Sequence, residues 1–99
     1  MKLTGKQNRY LRGLGHHLKP VVFVGKEEVN EAVIQATEEA LTAHELIKVK
    51  LQDGCLSDRK EVAAELATAT GAAIAQILGK NILLYRPSNE AKIVLPKGG

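Results

Sequence analysis

Between Pro20 and Gly25 stand four β-branched or aromatic residues in a row, Val21-Val22-Phe23-Val24, and on both sides the apolar residues recur at helical spacing. A run of that kind, punctuated by proline and glycine, reads as a short strand buried on both faces. Set between two helices, it needs a crossover to reach a neighbour in its sheet, which points to a layered α/β chain.

The period of the apolar residues predicts the other elements. From Thr4 to Leu14, the residues Leu3, Tyr10, Leu11 and Leu14 fall within about a 100° arc, the width of a core-facing helical stripe, and Gly13 and Gly15 end that helix. A second helix is predicted from about Glu27 or Glu28 to Ala43, with Val29, Val33, Ile34, Ala40 and Leu41 inward and Glu31, Glu38 and Glu39 facing water. Glu45 to Leu51 alternates strictly, Ile47, Val49 and Leu51 pointing one way and Lys48 and Lys50 the other. After the Asp53-Gly54 turn, Ser57 is the expected N-cap of a third helix that buries Val62, Ala63, Leu66 and Ala67 and closes at Thr70-Gly71. Ala72 to Leu78 and Ile82 to Arg86 form a hairpin about Gly79-Lys80-Asn81, and Pro87 stops the second strand. The order α-β-α-β-α-β-β, with two right-handed crossovers and a hairpin, predicts a four-stranded mixed sheet with helices packed against it.

With 99 residues, 44% of them apolar, the chain suits one compact domain with a single core. The expected domain covers residues 1–99, with a core over about 3–87 and a tail over 88–99. In that tail Ile93-Val94-Leu95 is a candidate docking cluster, and Lys97-Gly98-Gly99 is expected to fray. The starting methionine and the size suggest a complete small protein. The longest apolar runs are four residues, such as Val21 to Val24, far short of a membrane span or a signal-peptide core, so a cytoplasmic location is expected. Cys55 is the single cysteine, and it has no second thiol for a disulfide or a metal pair.

Charge is distributed unevenly. Residues 1–26 hold six Lys or Arg (Lys2, Lys6, Arg9, Arg12, Lys19, Lys26) and no acidic residue, whereas all 11 acidic residues follow. One end of the molecule should therefore attract polyanions more strongly than the net charge of +3 suggests. On the helical projection Lys2, Lys6, Arg9 and Arg12 share an arc of about 120°. Gly25-Lys26 sits where the first strand hands over to a helix, a position whose backbone N–H groups can hold phosphate, although Glu27 and Glu28 oppose it. Lys48 and Lys50, about 7 Å apart on one strand face, match the phosphate spacing of a nucleic-acid strand. An ordinary solvated sheet face accounts for that pair equally well.

Other chemistry finds no support in the residues. His16-His17 lacks a third ligand nearby in sequence and reads as a pair of loop histidines, and His44 suits the C-terminal end of the second helix as a capping cation. Cys55, Ser57 and Ser88 sit in turns with no nucleophile elbow around them, and the glycines lack the spacing of a phosphate-binding fingerprint. No enzymatic activity, cofactor, metal or small-molecule substrate is therefore expected.

The segments Leu11-Arg12 through His17-Leu18-Lys19-Pro20-Val21-Val22-Phe23-Val24-Gly25, His44-Glu45-Leu46-Ile47-Lys48-Val49-Lys50, Thr70-Gly71, and Gly79-Lys80 through Leu84-Tyr85-Arg86-Pro87 closely resemble the CRM domain. This is the chloroplast RNA splicing and ribosome maturation domain, here in its stand-alone bacterial YhbY form. The resemblance runs over nearly the whole chain. It implies a fold similar to the C-terminal domain of translation initiation factor three, and an RNA-binding module acting on ribosomal RNA in precursors of the large ribosomal subunit. Family members usually carry a G-x-x-G loop after the first strand. This chain reads Gly25-Lys26-Glu27-Glu28, with Glu28 in place of the second glycine, which weakens a backbone clamp on phosphate.

The expected RNA contacts are Lys2, Lys6, Arg9, Arg12, Lys19, Gly25, Lys26, Lys48, Lys50, Lys80 and Arg86. More of the affinity is expected from the first helix, Lys48, Lys50, Lys80 and Arg86 than from the loop. With Tyr10, Tyr85 and Phe23 as its whole aromatic complement, and Phe23 assigned to a buried strand, the chain offers no platform for stacking bases, so backbone and shape recognition is expected. A monomer is expected. The alternative reading is a protein-interaction module that docks its basic helix on an acidic ribosomal or assembly-factor surface. A membrane-surface helix is disfavoured, because the apolar stripe is short and lacks Trp and Phe.

Overall fold

The computed structural model describes residues 2–89 and 92–97; Gly98 and Gly99, expected to fray, lie outside the described residues. Seven elements follow the predicted order: α1 (Gly5–Gly15), β1 (Val22–Val24), α2 (Glu31–Ala43), β2 (Leu46–Leu51), α3 (Arg59–Thr70), β3 (Ala73–Leu78) and β4 (Asn81–Tyr85). They form a sheet of order β1-β2-β4-β3, in which β1 runs parallel to β2, and β4 is antiparallel to both β2 and β3. The strand that follows α3 thus leaves a gap beside β2, which β4 fills by folding back.

Local chemistry sets the helix ends, and two of them differ from expectation. Thr4 opens α1 through a capping box: its Oγ1 accepts the Gln7 N–H, and the Gln7 side chain accepts the Thr4 N–H, each at 3.1 Å. The helix runs through Gly13 to Gly15, and the His16 N–H closes on the Arg12 carbonyl. The second helix begins three or four residues later than predicted, because Asn30 caps it by accepting the Val33 N–H at 2.9 Å. Residues 25–28 form a turn instead, with the Glu28 N–H donating to the Gly25 carbonyl at 2.9 Å. Asp58 rather than Ser57 caps α3, its carboxylate accepting the Lys60 N–H, and Gly71 ends that helix at φ 71°. In the hairpin, Gly79 at φ 59° and Lys80 make a two-residue turn, which moves Asn81 out of the loop and into β4.

Two apolar layers hold the sheet. On one face Val22, Val24, Ile47, Val49, Leu51, Ile82 and Leu84 pack against Leu41 of α2 and Val62, Ala63 and Leu66 of α3. Fully burying each of the larger aliphatic side chains contributes about 1.5–3 kcal/mol, so this layer dominates stability. On the other face Leu46, Ala75, Leu83 and Tyr85 meet Leu11 of α1, with Leu3, Ile93 and Leu95 partly buried around them.

This second layer stops short of β1. The strand predicted to be buried on both faces is an edge strand covered on one: Val22 and Val24 are buried, while Val21 and Phe23 are each 50% exposed. A run of β-branched residues reports a strand but not how many of its faces are covered, since that depends on where α1 lands.

Candidate nucleic-acid interface

α1 meets the sheet through Leu11 and Gly15, not through the centre of its apolar stripe. A Cβ on Gly15 would stand 2.6 Å from Leu83 Cδ1, so the helix approaches β4 closely at its last residue. That contact turns the helix and leaves Tyr10 42% and Leu14 40% exposed, against the prediction that both face the core. The middle of the basic arc lies about 140° around the helix from Leu11 and Gly15. Lys6, Arg9 and Arg12 are accordingly exposed, as is Lys2 just before the N-cap, and no acidic residue occupies the first turn.

The remaining predicted residues sort by position. Lys19 is exposed in the loop that leads to β1, and Lys26 is exposed just after it. Lys50 is exposed and Lys48 half-buried, both on the sheet face that carries α1. A Cβ on Gly25 would stand 2.8 Å from Gln52 Oε1, and one on Gly54 would stand 3.2 Å from Lys26 Cβ, so the 25–28 turn packs tightly against the turn after β2. Glu28 has φ 58°, a conformation glycine adopts freely but one that costs another residue about 1–2 kcal/mol. The loop therefore keeps a glycine-like backbone with a carboxylate side chain. Because α2 starts only after Asn30, Gly25-Lys26 is not at a helix N-terminus and loses the helix dipole assigned to it from sequence.

Two cations on the predicted list are already partnered. Lys80 pairs with Asp53, and its hydrogen bond, followed by its charge, holds the Asp53 carboxyl below its usual range. Both side chains are exposed, so water screens the pair and Lys80 remains able to exchange its partner. Arg86 is bound more firmly. Its guanidinium donates to Glu38 Oε1 at 2.8 Å, to the Thr70 carbonyl at 2.7 Å and to Thr42 Oγ1 at 3.2 Å, tying α2 to the end of α3. Arg86 is a structural cross-link, and its charge is answered by Glu38.

Two features escaped the sequence reading. The first is Phe23, whose exposure overturns the inference that no aromatic ring is available; its one legible signal was membership of a strand that could have been an edge. The second is Glu45, a buried carboxylate just before β2 that gathers the tail: it accepts the Ser88 N–H (2.9 Å) and hydroxyl (3.2 Å), the Lys92 N–H (2.7 Å) and the Ile93 N–H (2.8 Å). The Ser88 N–H leads in holding its pKa below the usual range, helped by the Ile93 and Lys92 N–H groups and opposed by burial. Contacts between residues more than 40 positions apart leave no mark on local periodicity.

Among the described residues no helix is long and apolar enough to cross a membrane, and no group of three or more His, Cys, Asp or Glu is placed to hold a metal. The family model of the CRS1 / YhbY (CRM) domain matches residues 3–86. The chain belongs to that family. Its CRM relatives include Probable RNA-binding protein YqeI of Bacillus subtilis, 45% identical over 95% of this chain and 99% of the relative. An RNA-binding protein of Haemophilus influenzae is 43% identical over 96% of each chain. A solution structure of the hypothetical protein SAV1595 from Staphylococcus aureus, described as a candidate RNA-binding protein, superposes with a TM-score of 0.82 at 41% identity, covering 96% of this chain and all of that one. The shared CRM architecture is the three-helix, four-stranded mixed sheet described above.

Proposed function

We propose that this CRM-domain protein binds RNA mainly through phosphate contacts, and that the RNA is ribosomal RNA in precursors of the large ribosomal subunit. One observation carries the reading. Of the ten cations expected to contact RNA, eight (Lys2, Lys6, Arg9, Arg12, Lys19, Lys26, Lys48, Lys50) have no acidic partner among the described residues. Unpaired cations gathered on α1, on the loops beside β1 and on β2 favour a polyanion over a protein surface of mixed charge. The RNA-binding names of the relatives support the same partner. The role that follows is cytoplasmic assistance to ribosome assembly by a monomer, without catalysis.

If about five phosphates are neutralised, log K for a ribosomal RNA fragment falls with log salt at a slope of about −3.5 to −4.5. Replacing Lys6, Arg9 and Arg12 together by Ala should make that slope shallower by about two to three. Salt-insensitive binding, or unchanged affinity in the triple variant, refutes phosphate recognition by α1. Crosslinking in cells locates the RNA, and contacts confined to transcripts other than ribosomal RNA overturn the ribosomal assignment.

A further inference from the structure

In register across the sheet, Phe23 of β1 pairs with Lys50 of β2, Lys50 with Asn81 of β4, and Asn81 with Leu78 of β3. This row lies on the face that α1 covers only in part. Phe23 is 50% and Leu78 65% exposed, Lys50 is exposed and Asn81 half-buried. A single exposed apolar residue is ordinary. Here the ring stands between two hollows that are both lined by cations. A cleft of about 310 Å³ on one side is lined by Lys50, Gln52 and Lys80, and a groove of about 550 Å³ on the other by Lys26 and Asn30. Asp53 also lines the first hollow, but its ion pair is with Lys80 and its attraction to Lys50 is the weakest of its interactions, so Lys50 is the cation there that forms no ion pair. Glu27 and Glu28 line the second and offset Lys26, which places the stronger attraction for an anion on the Lys50 side.

An aromatic face one ring wide, flanked by a cation on the adjacent strand and by an amide, suits a nucleotide better than an apolar protein segment. A base covers the ring while its phosphate meets the ammonium, whereas an apolar partner would desolvate Lys50 without answering its charge. Neighbouring strands lie about 4.8 Å apart, so the Lys50 stem spans the distance from the ring to a phosphate of the same nucleotide. In a duplex the bases are stacked on each other and unavailable, so the site selects an unpaired segment.

We propose that Phe23 is a stacking platform for one unpaired base of the bound RNA, with Lys50 holding the adjoining phosphate. This rests on the RNA-binding reading above and adds to it a preference for single-stranded RNA. The chain contains no tryptophan. Phe23→Trp on the half-exposed edge strand therefore introduces a unique reporter.

The variant is titrated with a short single-stranded RNA and with a duplex of equal length, each end-labelled, so that anisotropy of the label reports binding and indole emission reports stacking. The single strand is expected to quench the emission as it binds, and the duplex to bind without quenching. Phe23→Ala and Phe23→Leu should both weaken the single strand by about 5- to 150-fold, the range for loss of one base–aromatic stack, while leaving the duplex within about twofold and the thermal midpoint near that of the parent. Unquenched emission on a bound single strand, with parental affinity in Phe23→Ala, overturns the platform and leaves the RNA-binding reading intact. Loss of self-association in Phe23→Ala with no change in RNA affinity overturns it in favour of a contact between copies of the chain. If the unsubstituted protein binds neither RNA, the broader reading falls first and the platform with it.

Discussion

Replacing Glu45 by Gln tests how the tail is held, because it changes charge and donor pattern with little change of shape. In the parent, Oε2 accepts from the Ser88 N–H and hydroxyl, and Oε1 accepts from the Lys92 and Ile93 N–H groups. A carboxamide has only one oxygen. Whichever way it turns, its NH₂ faces at least one backbone N–H, so at least one bond to a charged acceptor is lost and donors are set against each other. Hydrogen bonds to charged groups contribute about 1.5–3 kcal/mol each, and the survivors weaken to the neutral value of about 1 kcal/mol. Bond by bond this sums to about 3–9 kcal/mol, and the cost observed is capped by the free energy at which the tail detaches and lets water satisfy the same groups, set here at about 2–4 kcal/mol. Amide hydrogen exchange at neutral pH reads this directly: Lys92 and Ile93 should lose about 30- to 1,000-fold of protection, whereas the Val49 amide in β2 should change little.

The pH dependence has a definite sign. Because the folded-state pKa of Glu45 is depressed, its contribution is complete above the unfolded value of about 4.3 and disappears as pH falls through the lower folded value. Tail protection in the parent should accordingly hold down to about pH 5 and fall below about pH 4. Unchanged Lys92 and Ile93 protection in Glu45→Gln would refute the view that this carboxylate anchors the tail.

Gly15→Val should destabilise the fold by about 1–3 kcal/mol in urea unfolding, since the new side chain must displace the buried Leu83 despite better helix propensity; a neutral result would mean that α1 shifts off the sheet at little cost. Arg86→Ala should cost about 1–3 kcal/mol by stranding Glu38 and the Thr70 carbonyl, and it should leave RNA affinity within about twofold. A large loss of affinity without a loss of stability would return Arg86 to the binding surface.

Phe23 shows best why a site is less legible than a fold. Its place in a strand follows from its neighbours in sequence, but its exposure depends on α1 docking over β3, β4 and the Leu46 end of β2 instead of over β1. Tyr10 and Leu14 make the same point from the helix side. Helical periodicity grouped them with Leu11, yet Gly15 admitted the backbone so close to Leu83 that the helix turned and left both half out. The late start of α2 has a local cause, since Asn30 outcompetes Glu27 and Glu28 as a cap, and the capping preference was available in the sequence to be weighed.

The number, kind and order of the elements were determined by the sequence itself, because side-chain period, caps and turn residues act over a few positions of chain. So was the clustering of cations on one arc of α1, which is a matter of spacing alone. Tertiary structure decided which side of each element meets a partner. It directed Arg86 to Glu38 and Thr70, gathered the tail on Glu45, and left Phe23 beside Lys50 at an open edge. Those outcomes turn on contacts between distant segments, where a close approach at one glycine or one buried carboxylate decides the geometry and no local pattern records it.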